Sequence, residues 1–184
     1  MTARIVLLNG VSSVGKGSVA KALQRIASRP MLHVQMDAFL EMLPAAMFGA
    51  ADGYTFETSE RDGKPVTAVT SGPVLEAAMR GMRGAVAALA EAGNDLIVDE
   101  VMWDPEALAD YRRRLAAFDF HVVALHAPLE LIEQRERQRG DRDLGLARWQ
   151  YDKIHGGMTY DLEVYTSLAS ADDCAHRIKR MFRL

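Results

Sequence analysis

Short apolar, β-branched runs alternate along the chain with segments in which apolar residues recur every three to four positions. The first pattern is typical of buried strands and the second of amphipathic helices. The apolar runs predict strands at Arg4–Asn9, Leu32–Met36, Asp95–Asp99, His121–His126 and Leu162–Thr166. The helical pattern covers Lys16–Ser28, Ala38–Met47, Val74–Ala92, Pro105–Phe118, Leu129–Arg139 and Asp172–Phe182.

This alternation predicts an α/β fold, in which a parallel five-stranded sheet carries helices on both faces. In such sheets ligands bind beyond the carboxyl ends of the strands. The chain has 184 residues, of which 49% are apolar and 26% charged. This size and composition fit one globular domain, residues 1–184, with a substantial core.

Residues 48–72 interrupt the alternation. An Asp62-Gly63 turn lies there between Tyr54–Thr58 and Pro65–Thr70, a pattern that predicts a small hairpin or an ordered flap. Two interpretations stay open. The segment is either a plain surface excursion or an insertion that covers substrate.

Charge and cysteine content narrow the function classes. The formal net charge of −3 gives no general attraction to nucleic acid or to an anionic membrane surface. The single cysteine, Cys174, excludes an internal disulfide and is expected in the core or on the surface. Since no apolar run approaches membrane-spanning length and Ile5–Leu8 is too short for a signal peptide, we expect a cytoplasmic protein without nucleic-acid or membrane partners.

The segment after the first predicted strand reads Gly-Val-Ser-Ser-Val-Gly-Lys-Gly-Ser. A glycine-rich turn between a strand and a helix presents backbone N–H groups to phosphate, at the positive end of the helix dipole. Lys16 is placed to reach the outer phosphates of a nucleotide, and we expect it to face solvent. The predicted nucleotide-binding residues of this loop are Gly10, Val11, Ser12, Ser13, Val14, Gly15, Lys16, Gly17 and Ser18.

The loop departs from the usual pattern at one position. A Ser or Thr normally follows the lysine, and its hydroxyl meets magnesium. Here Gly17 follows, and Ser18 comes one residue later, a rotation of roughly 100° on a helix. Ser18 is the candidate metal hydroxyl, and carboxylates and water are expected to contribute more.

Acidic residues follow two of the predicted strands. Asp37 ends the second strand, where a carboxylate can accept a proton from a substrate hydroxyl. The alternative is that it caps the helix predicted from Ala38. Asp99 and Glu100 end an apolar strand, as expected of a carboxylate in a magnesium shell. Asp99 is the favoured ligand, and Glu100 is the second candidate.

Basic residues follow the fourth strand, and three of them are candidates for nucleotide contacts: Arg135, Arg139 and Arg142. Arg135 and Arg139 are four apart and therefore share a helix face. An arginine-rich lid at residues 135–148 could stabilise charge on a transferring phosphoryl group. The alternative is a solvated charged helix, in which Glu133 pairs with Arg137.

Apolar side chains follow both acidic strand ends, namely Phe39, Met42, Met47, Met102 and Trp103. Methionine and aromatic residues can line a pocket for an apolar or aromatic acceptor. Core packing is the alternative for each of them. His155 has no neighbours at metal-ligand spacing, which favours a structural role.

With these features the chain resembles the chloramphenicol phosphotransferase family of P-loop kinases. The shared segments run in order over nearly the whole length: Leu8-Asn9-Gly10, Ser12-Ser13 before Gly15-Lys16, Asp37 with Glu41–Pro44, Ile97–Val101, Arg135-Glu136, Arg139–Arg142, His155 and Tyr160–Val164. The resemblance implies a five-stranded parallel sheet, Mg-ATP as donor and a primary hydroxyl of chloramphenicol as acceptor. By this likeness Asp37 matches the catalytic base, Lys16 the phosphate-binding lysine, and Arg135 and Arg139 the lid arginines.

The sequence therefore predicts an ATP-dependent small-molecule O-phosphotransferase that uses ATP and Mg²⁺. The predicted catalytic residues are Asp37, Lys16, Arg135 and Arg139. Arg142 is predicted to contact the nucleotide, Ser18 and Asp99 the metal, and the acceptor is predicted to meet Phe39, Met42, Met102 and Trp103. Two alternatives stay open. One is a kinase for another hydroxylated metabolite, such as a sugar acid, a shikimate-like alcohol or a nucleoside, and the other is a nucleotide-binding regulatory module without turnover.

Overall fold

A parallel β-sheet forms the centre of the computed structural model, which describes residues 2–140 and 143–184. The strands in chain order are β1 (Arg4–Asn9), β2 (Met31–Gln35), β3 (Tyr54–Arg61), β4 (Lys64–Ser71), β5 (Asp95–Glu100), β6 (Asp119–His126) and β7 (Leu162–Tyr165). Five of them pair in the spatial order β2-β5-β1-β6-β7, with every neighbouring pair parallel. The predicted five-stranded parallel sheet is confirmed.

Helices cover both faces of this sheet. They are α1 (Lys16–Ile26), α2 (Met36–Glu41), α3 (Pro73–Glu91), α4 (Pro105–Arg114), α5 (Leu129–Arg139), α6 (Leu146–Tyr151) and α7 (Ala171–Phe182). Successive strand residues point to opposite faces. Ile97 of β5 therefore packs in the core formed with α1 and α7, whereas Leu96 and Val98 pack in the core formed with α3 and α4.

The helix predicted over Ala38–Met47 is wrong in both bounds. The helix α2 begins at Met36 and ends at Glu41, and a separate 3₁₀ turn covers Ala45–Met47. Pro44 explains the break. Its ring disfavours helical backbone in the preceding residue, and it has no N–H for a helical hydrogen bond.

The helix α6 was missing from the prediction. It has only six residues, too few for a periodic pattern to stand out. Its first turn is fixed by a distant side chain, because Glu136 accepts hydrogen bonds from the backbone N–H groups of Gly145, at 2.9 Å, and Ala147, at 2.8 Å.

The two strands outside the central sheet form a hairpin. β3 and β4 pair antiparallel, and both turn residues, Asp62 and Gly63, have positive φ angles of 55° and 70°, as a type I′ turn requires. The hairpin packs against the segment at the beginning of α6. Thr67 donates its hydroxyl to the carbonyl of Leu144 at 2.7 Å and its N–H to the carbonyl of Gly145 at 3.1 Å.

Two expectations from composition can be compared with the structure. Cys174 is buried in the core with 2% of its surface exposed, and burial raises the pKa of its thiol. Within residues 2–140 and 143–184, every helix is too short or too polar to cross a bilayer.

The close approach of α6 to the hairpin generates a test. Gly145 has a φ of +91°, and a Cβ there would lie 2.4 Å from the carbonyl oxygen of Pro65. Gly93 has nearly the same φ, +89°, but a Cβ there would meet no heavy atom within 4 Å. Gly145→Ala should therefore lower the free energy of unfolding by about 1–3 kcal/mol more than Gly93→Ala, because overpacking adds to the shared backbone strain. Urea denaturation measures both, and equal losses would contradict the described docking.

Candidate active site

A cavity of about 1150 Å³ opens at the carboxyl ends of the central strands. The helix α2 and the loop after β5 supply its floor, and the loop after β1 supplies one wall. The hairpin, α3, α5 and α6 supply its sides. The position agrees with the rule that ligands of open parallel sheets bind beyond the strand ends.

The loop between β1 and α1 forms one wall of the cavity. Its lining residues are Ser12, Ser13, Gly15, Lys16, Gly17 and Ser18. The other three predicted loop residues lie behind it. Val11 and Val14 are buried in the core, and a Cβ at Gly10 would approach the carbonyl oxygen of Leu125 to 2.8 Å, so only glycine fits there.

Two contacts from distant elements fix the loop. The backbone N–H of Ser12 donates to Oε1 of Gln150, in α6, at 2.8 Å. The carbonyl of Val14 accepts from Nη1 of Arg135, in α5, at 3.1 Å. The loop is therefore held on two sides by helices that follow it by more than a hundred residues in the chain.

Lys16 is buried, and the expectation that it faces solvent is wrong. Only 8% of its side chain is exposed. Its ammonium donates to the carbonyls of Gly10, at 2.8 Å, and Val11, at 3.1 Å, and lies 3.8 Å from Oδ1 of Asp99. Carbonyl dipoles and a carboxylate replace the water that a buried ammonium loses, so the charge is kept beside the loop.

Asp99 lies on the same face of the sheet as the loop. Its Oδ2 is 3.5 Å from Nε2 of His33 and 3.6 Å from the position that a Cβ would take at Gly17. Ser18 is exposed and lines the same cavity.

These oxygens fit a magnesium ion held mainly by a nucleotide. Mg²⁺ is commonly bound by one or two carboxylates together with water and substrate phosphates. Asp99 and the Ser18 hydroxyl are oxygen donors of that kind. Among residues 2–140 and 143–184, no group of three or more His, Cys, Asp or Glu side chains forms a metal cage.

Asp37 lines the cavity and is half-buried, but it does not end a strand. β2 ends at Gln35, and Asp37 is the second residue of α2. The alternative role as a helix cap is wrong as well, because the residue at the cap position is Gln35. The carboxylate is thus held on the first turn of a short helix at the cavity floor.

The two predicted lid arginines differ in their surroundings. Arg135 is tied down, since in addition to Val14 it reaches Thr166, with Nη1 3.0 Å from Oγ1 and Nη2 2.9 Å from the carbonyl oxygen. Arg139 lies one turn later, is exposed and lines the cavity. Arg142 lies outside the described residues.

The expected pairing of Glu133 with Arg137 is wrong. Glu133 is buried, accepts a hydrogen bond from Lys64 of the hairpin at 3.1 Å and pairs with Arg148 of α6. Burial raises the pKa of the Glu133 carboxyl, but the hydrogen bonds from Lys64 and Arg148 outweigh it and lower that pKa. Glu133 therefore joins α5 to both α6 and the hairpin through buried contacts.

Two of the predicted acceptor residues lie in the cavity wall. Met102 and Trp103 both line it. Met102 is held by Asn9, whose Oδ1 accepts from the Met102 N–H at 2.8 Å and whose Nδ2 donates to the Met102 carbonyl at 2.8 Å. Trp103 packs edge-to-face on Trp149 of α6, with ring centroids 5.3 Å apart.

The other apolar candidates lie elsewhere. Phe39 packs against the core between the sheet, α3 and α4, as the core-packing alternative proposed. Met42 follows the end of α2 and is 71% exposed. Neither residue is part of the cavity lining, and Met47 in the 3₁₀ turn is not part of it either.

His155 has the structural role that the sequence favoured. Its Nδ1 is 2.7 Å from the hydroxyl of Tyr160, which also accepts a hydrogen bond from Asn9 at 2.9 Å. Burial, with the nearby His126, lowers the pKa of His155 to about 4. The ring is therefore neutral at neutral pH and supports Asn9 beneath the loop after β5.

Arg83 had no role in the sequence prediction, and Glu100 was predicted only as the second candidate for the metal. Glu100 is 4% exposed and lines the cavity, where the hydroxyl of Tyr111 donates to its Oε2 at 2.6 Å. Arg83 of α3 lines the cavity beside it and pairs with Asp110 at 2.8 Å. The sequence signal for Glu100 was present, because consecutive acids at a strand end must face opposite sides of the sheet.

The sheet order, with a lysine-bearing glycine loop between β1 and α1, defines the class of P-loop kinases. Solved structures with this fold include an unliganded sugar kinase from Janibacter sp. HTCC2649, with a TM-score of 0.70 and 16% identity over 98% of this chain and 95% of that chain. The Mycobacterium tuberculosis APS kinase CysC, solved in complex with AMPPNP and APS, has a TM-score of 0.69 and 19% identity over 100% and 99% of the two chains. At these identities the likeness shows the fold.

The chain belongs to the family of chloramphenicol phosphotransferase-like proteins, whose family model matches residues 3–183. A protein of Mycobacterium tuberculosis strain H37Rv that carries the name "putative O-phosphotransferase" is 31% identical over 185 residues, which cover 98% of this chain and 82% of the relative. A protein of strain CDC 1551 / Oshkosh with the same description matches equally. The family resemblance and the phosphotransferase class predicted from sequence are confirmed.

The buried carboxylate of α5 generates a pH prediction. Because the pKa of Glu133 is lower in the folded chain than the ordinary value of 4.5, its contribution to stability is present above that value and is lost as the pH falls through the lowered one. Glu133→Gln should therefore lower the free energy of unfolding by about 2 kcal/mol near neutral pH, and its deficit relative to wild type should shrink as the pH falls below 4.5.

Urea unfolding at a series of pH values measures that deficit. Glu130→Gln is the matched control, since Glu130 lies on the same helix and is exposed. A Glu133→Gln deficit that is the same at neutral and acidic pH would contradict the ionic role of Glu133.

Proposed function

We propose that this chain transfers the γ-phosphoryl group of ATP to a hydroxyl of a small aromatic alcohol, with chloramphenicol as the first candidate acceptor. The observation that carries the proposal is that one cavity contains both halves of such a reaction. The phosphate loop with Lys16 lies in one wall, and Asp37 lies in the same cavity as the apolar pair Met102 and Trp103.

The loop is suited to hold the phosphates of the donor. Its backbone N–H groups lie at the beginning of α1, where the helix dipole favours negative charge. Lys16 supplies a positive charge that is already desolvated beside the loop. Phosphoryl transfer depends mostly on such positioning and charge stabilisation, so a rigid loop is itself a large part of the catalyst.

Asp99 is the main residue that would hold magnesium, and the exposed Ser18 hydroxyl is a weaker second donor. A magnesium ion held there would supply positive charge that stabilises the transferring phosphoryl group. Asp99 is within 3.8 Å of the Lys16 ammonium, and the carboxylate therefore lies next to the phosphate site.

Asp37 is proposed as the base that orients the acceptor hydroxyl and takes its proton. Arg139, at the cavity wall and exposed, is proposed to contact the transferring group. Arg135 is assigned a positioning role, because its guanidinium already bonds Val14 and Thr166. Arg142 stays a predicted nucleotide contact.

The acceptor side favours an aromatic ring. The apolar and aromatic side chains in the cavity lining include Leu40, Tyr54, Phe56, Met102 and Trp103. Sulfur and aromatic groups pack well against rings. The hydroxyls of a sugar would lose hydrogen bonds to water against such a wall, which costs affinity. This distinguishes the proposal from a sugar kinase, and the placement of Asp37 distinguishes it from a regulatory module without turnover.

Release of ADP in a coupled assay tests the proposal. Chloramphenicol should stimulate release in a saturable way, whereas gluconate, shikimate and uridine should not. Stimulation by one of those three acceptors, with none by chloramphenicol, would contradict the acceptor assignment. It would still support kinase activity.

The proposed base has its own test. Asp37→Asn keeps the shape of the side chain and removes the proton acceptor, so kcat should fall by about 10² or more, while the Kd for ATP measured by calorimetry stays unchanged. Asp62→Asn at the hairpin turn is the matched control, because Asn also tolerates the positive φ of that position. Turnover by Asp37→Asn close to that of Asp62→Asn would remove the catalytic role from Asp37.

The arrangement around Gly17 predicts a gain of metal affinity. A Cβ at position 17 would meet Asp99 Oδ2 at 3.6 Å, an ordinary contact, so Gly17→Ser should place a hydroxyl beside that carboxylate. We expect the Mg²⁺ concentration for half-maximal activity to fall by about tenfold in Gly17→Ser, corresponding to about 1.4 kcal/mol.

Gly17→Ala is the control, since it adds the same carbon without the hydroxyl. Asp99→Asn should raise the Mg²⁺ requirement strongly, and Ser18→Ala should change it little. A severe metal defect in Ser18→Ala, with no difference between Gly17→Ser and Gly17→Ala, would show that Ser18 already supplies the metal hydroxyl.

A further inference from the structure

The strand β5 ends in two carboxylates, Asp99 and Glu100, that lie on opposite faces of the sheet. Asp99 follows the orientation of Ile97 toward α1 and the phosphate loop. Glu100 follows that of Leu96 and Val98 toward α3 and α4. Both side chains line the same cavity. The strand end therefore divides the cavity into a half beside the phosphate loop and a half beside α3 and α4.

Glu100 lies in the second half of the cavity. One of its carboxylate oxygens accepts a hydrogen bond within the protein, and the other does not. It is 4% exposed, and its Oε2 accepts the hydroxyl of Tyr111 at 2.6 Å. Within residues 2–140 and 143–184, no side chain or backbone group donates a hydrogen bond to its Oε1. Because the side chain lines the cavity, this oxygen can accept a hydrogen bond from a molecule bound there.

A purely structural role does not need the negative charge. A glutamine at position 100 could accept the same hydrogen bond from Tyr111 through its amide oxygen. The contact with Tyr111 therefore does not explain a carboxylate at this position, whereas a ligand that donates to the second oxygen would.

We propose that Glu100 is a specificity-determining residue of the acceptor site, and that its Oε1 accepts a hydrogen bond from a second donor on the acceptor, a hydroxyl or an amide N–H. This inference rests on the proposed phosphotransferase function. It assigns the residue that selects, among aromatic alcohols, those that carry a second hydrogen-bond donor. One hydroxyl of such a molecule meets Asp37, and a second donor meets Glu100.

A matched pair of acceptors tests this assignment. 1-Phenylpropane-1,3-diol and 3-phenylpropan-1-ol share a ring and a primary hydroxyl and differ by one benzylic hydroxyl. The wild-type protein should prefer the diol by about tenfold or more, since a site built to bond a hydroxyl rejects the analogue that lacks it. In Glu100→Gln the preference should fall to about twofold or less, because the neutral amide replaces a charge-assisted hydrogen bond with a weaker one between neutral groups.

The preference is measured in two ways. The first is kcat/KM for each alcohol with Mg-ATP, and the second is the Kd of each alcohol for the ADP-bound protein, from an NMR titration. Glu130→Gln, an exposed change on α5, should keep the wild-type preference. The Tm of Glu100→Gln should stay close to that of wild type, because the amide oxygen can accept the hydrogen bond from Tyr111 in the same way.

Failure of this inference can be separated from failure of the proposed function. A preference for the diol that survives in Glu100→Gln, a wild type without preference, or binding of neither alcohol would overturn the role of Glu100. Binding that favours the diol only in wild type, with no phosphoryl transfer to either alcohol, would support Glu100 and contradict the proposed kinase activity.

Discussion

The phosphate loop is fixed by hydrogen bonds from two helices that are distant in sequence and from its own lysine. Gln150 accepts from the N–H of Ser12, Arg135 donates to the carbonyl of Val14, and the ammonium of Lys16 bonds the carbonyls of Gly10 and Val11. A glycine-rich loop pays a large entropy cost when it is ordered. These contacts meet part of that cost during folding, so the loop is preorganised for phosphate, which favours catalysis through positioning.

The alternation of side chains along β5 gives the cavity its two halves. Asp99 lies within 3.8 Å of Lys16, whereas Glu100, the next residue, bonds Tyr111 on the other face of the sheet. Two neighbouring carboxylates therefore serve two different partners, and no loop insertion is needed to separate them. The hairpin and α6 then close the sides of the cavity through the buried Glu133, which joins Lys64 to Arg148.

The features that were predicted correctly are those that depend on interactions between residues close together in sequence. The strand–loop–helix order around Lys16, the acids at the end of β5 and the Asp62-Gly63 turn are all encoded within a few residues. The sequence could not show that Lys16 is buried, that Glu133 pairs across to Lys64, or that α6 begins where Glu136 accepts its first N–H groups, because these features depend on tertiary contacts. Phe39 and Met42 are close to Asp37 in sequence, but Phe39 packs against the core from within α2, and Met42 follows the end of α2 and is exposed.

A crystal structure with Mg²⁺ and a non-hydrolysable ATP analogue tests the division of the cavity most directly. The phosphates should lie against the loop N–H groups and Lys16, the metal should lie on the Asp99 side of β5, and Asp37 should face the γ-phosphate. Glu100 should contact neither the metal nor the nucleotide. A nucleotide bound away from the loop, or a metal coordinated by Glu100, would contradict the assignment of the two halves.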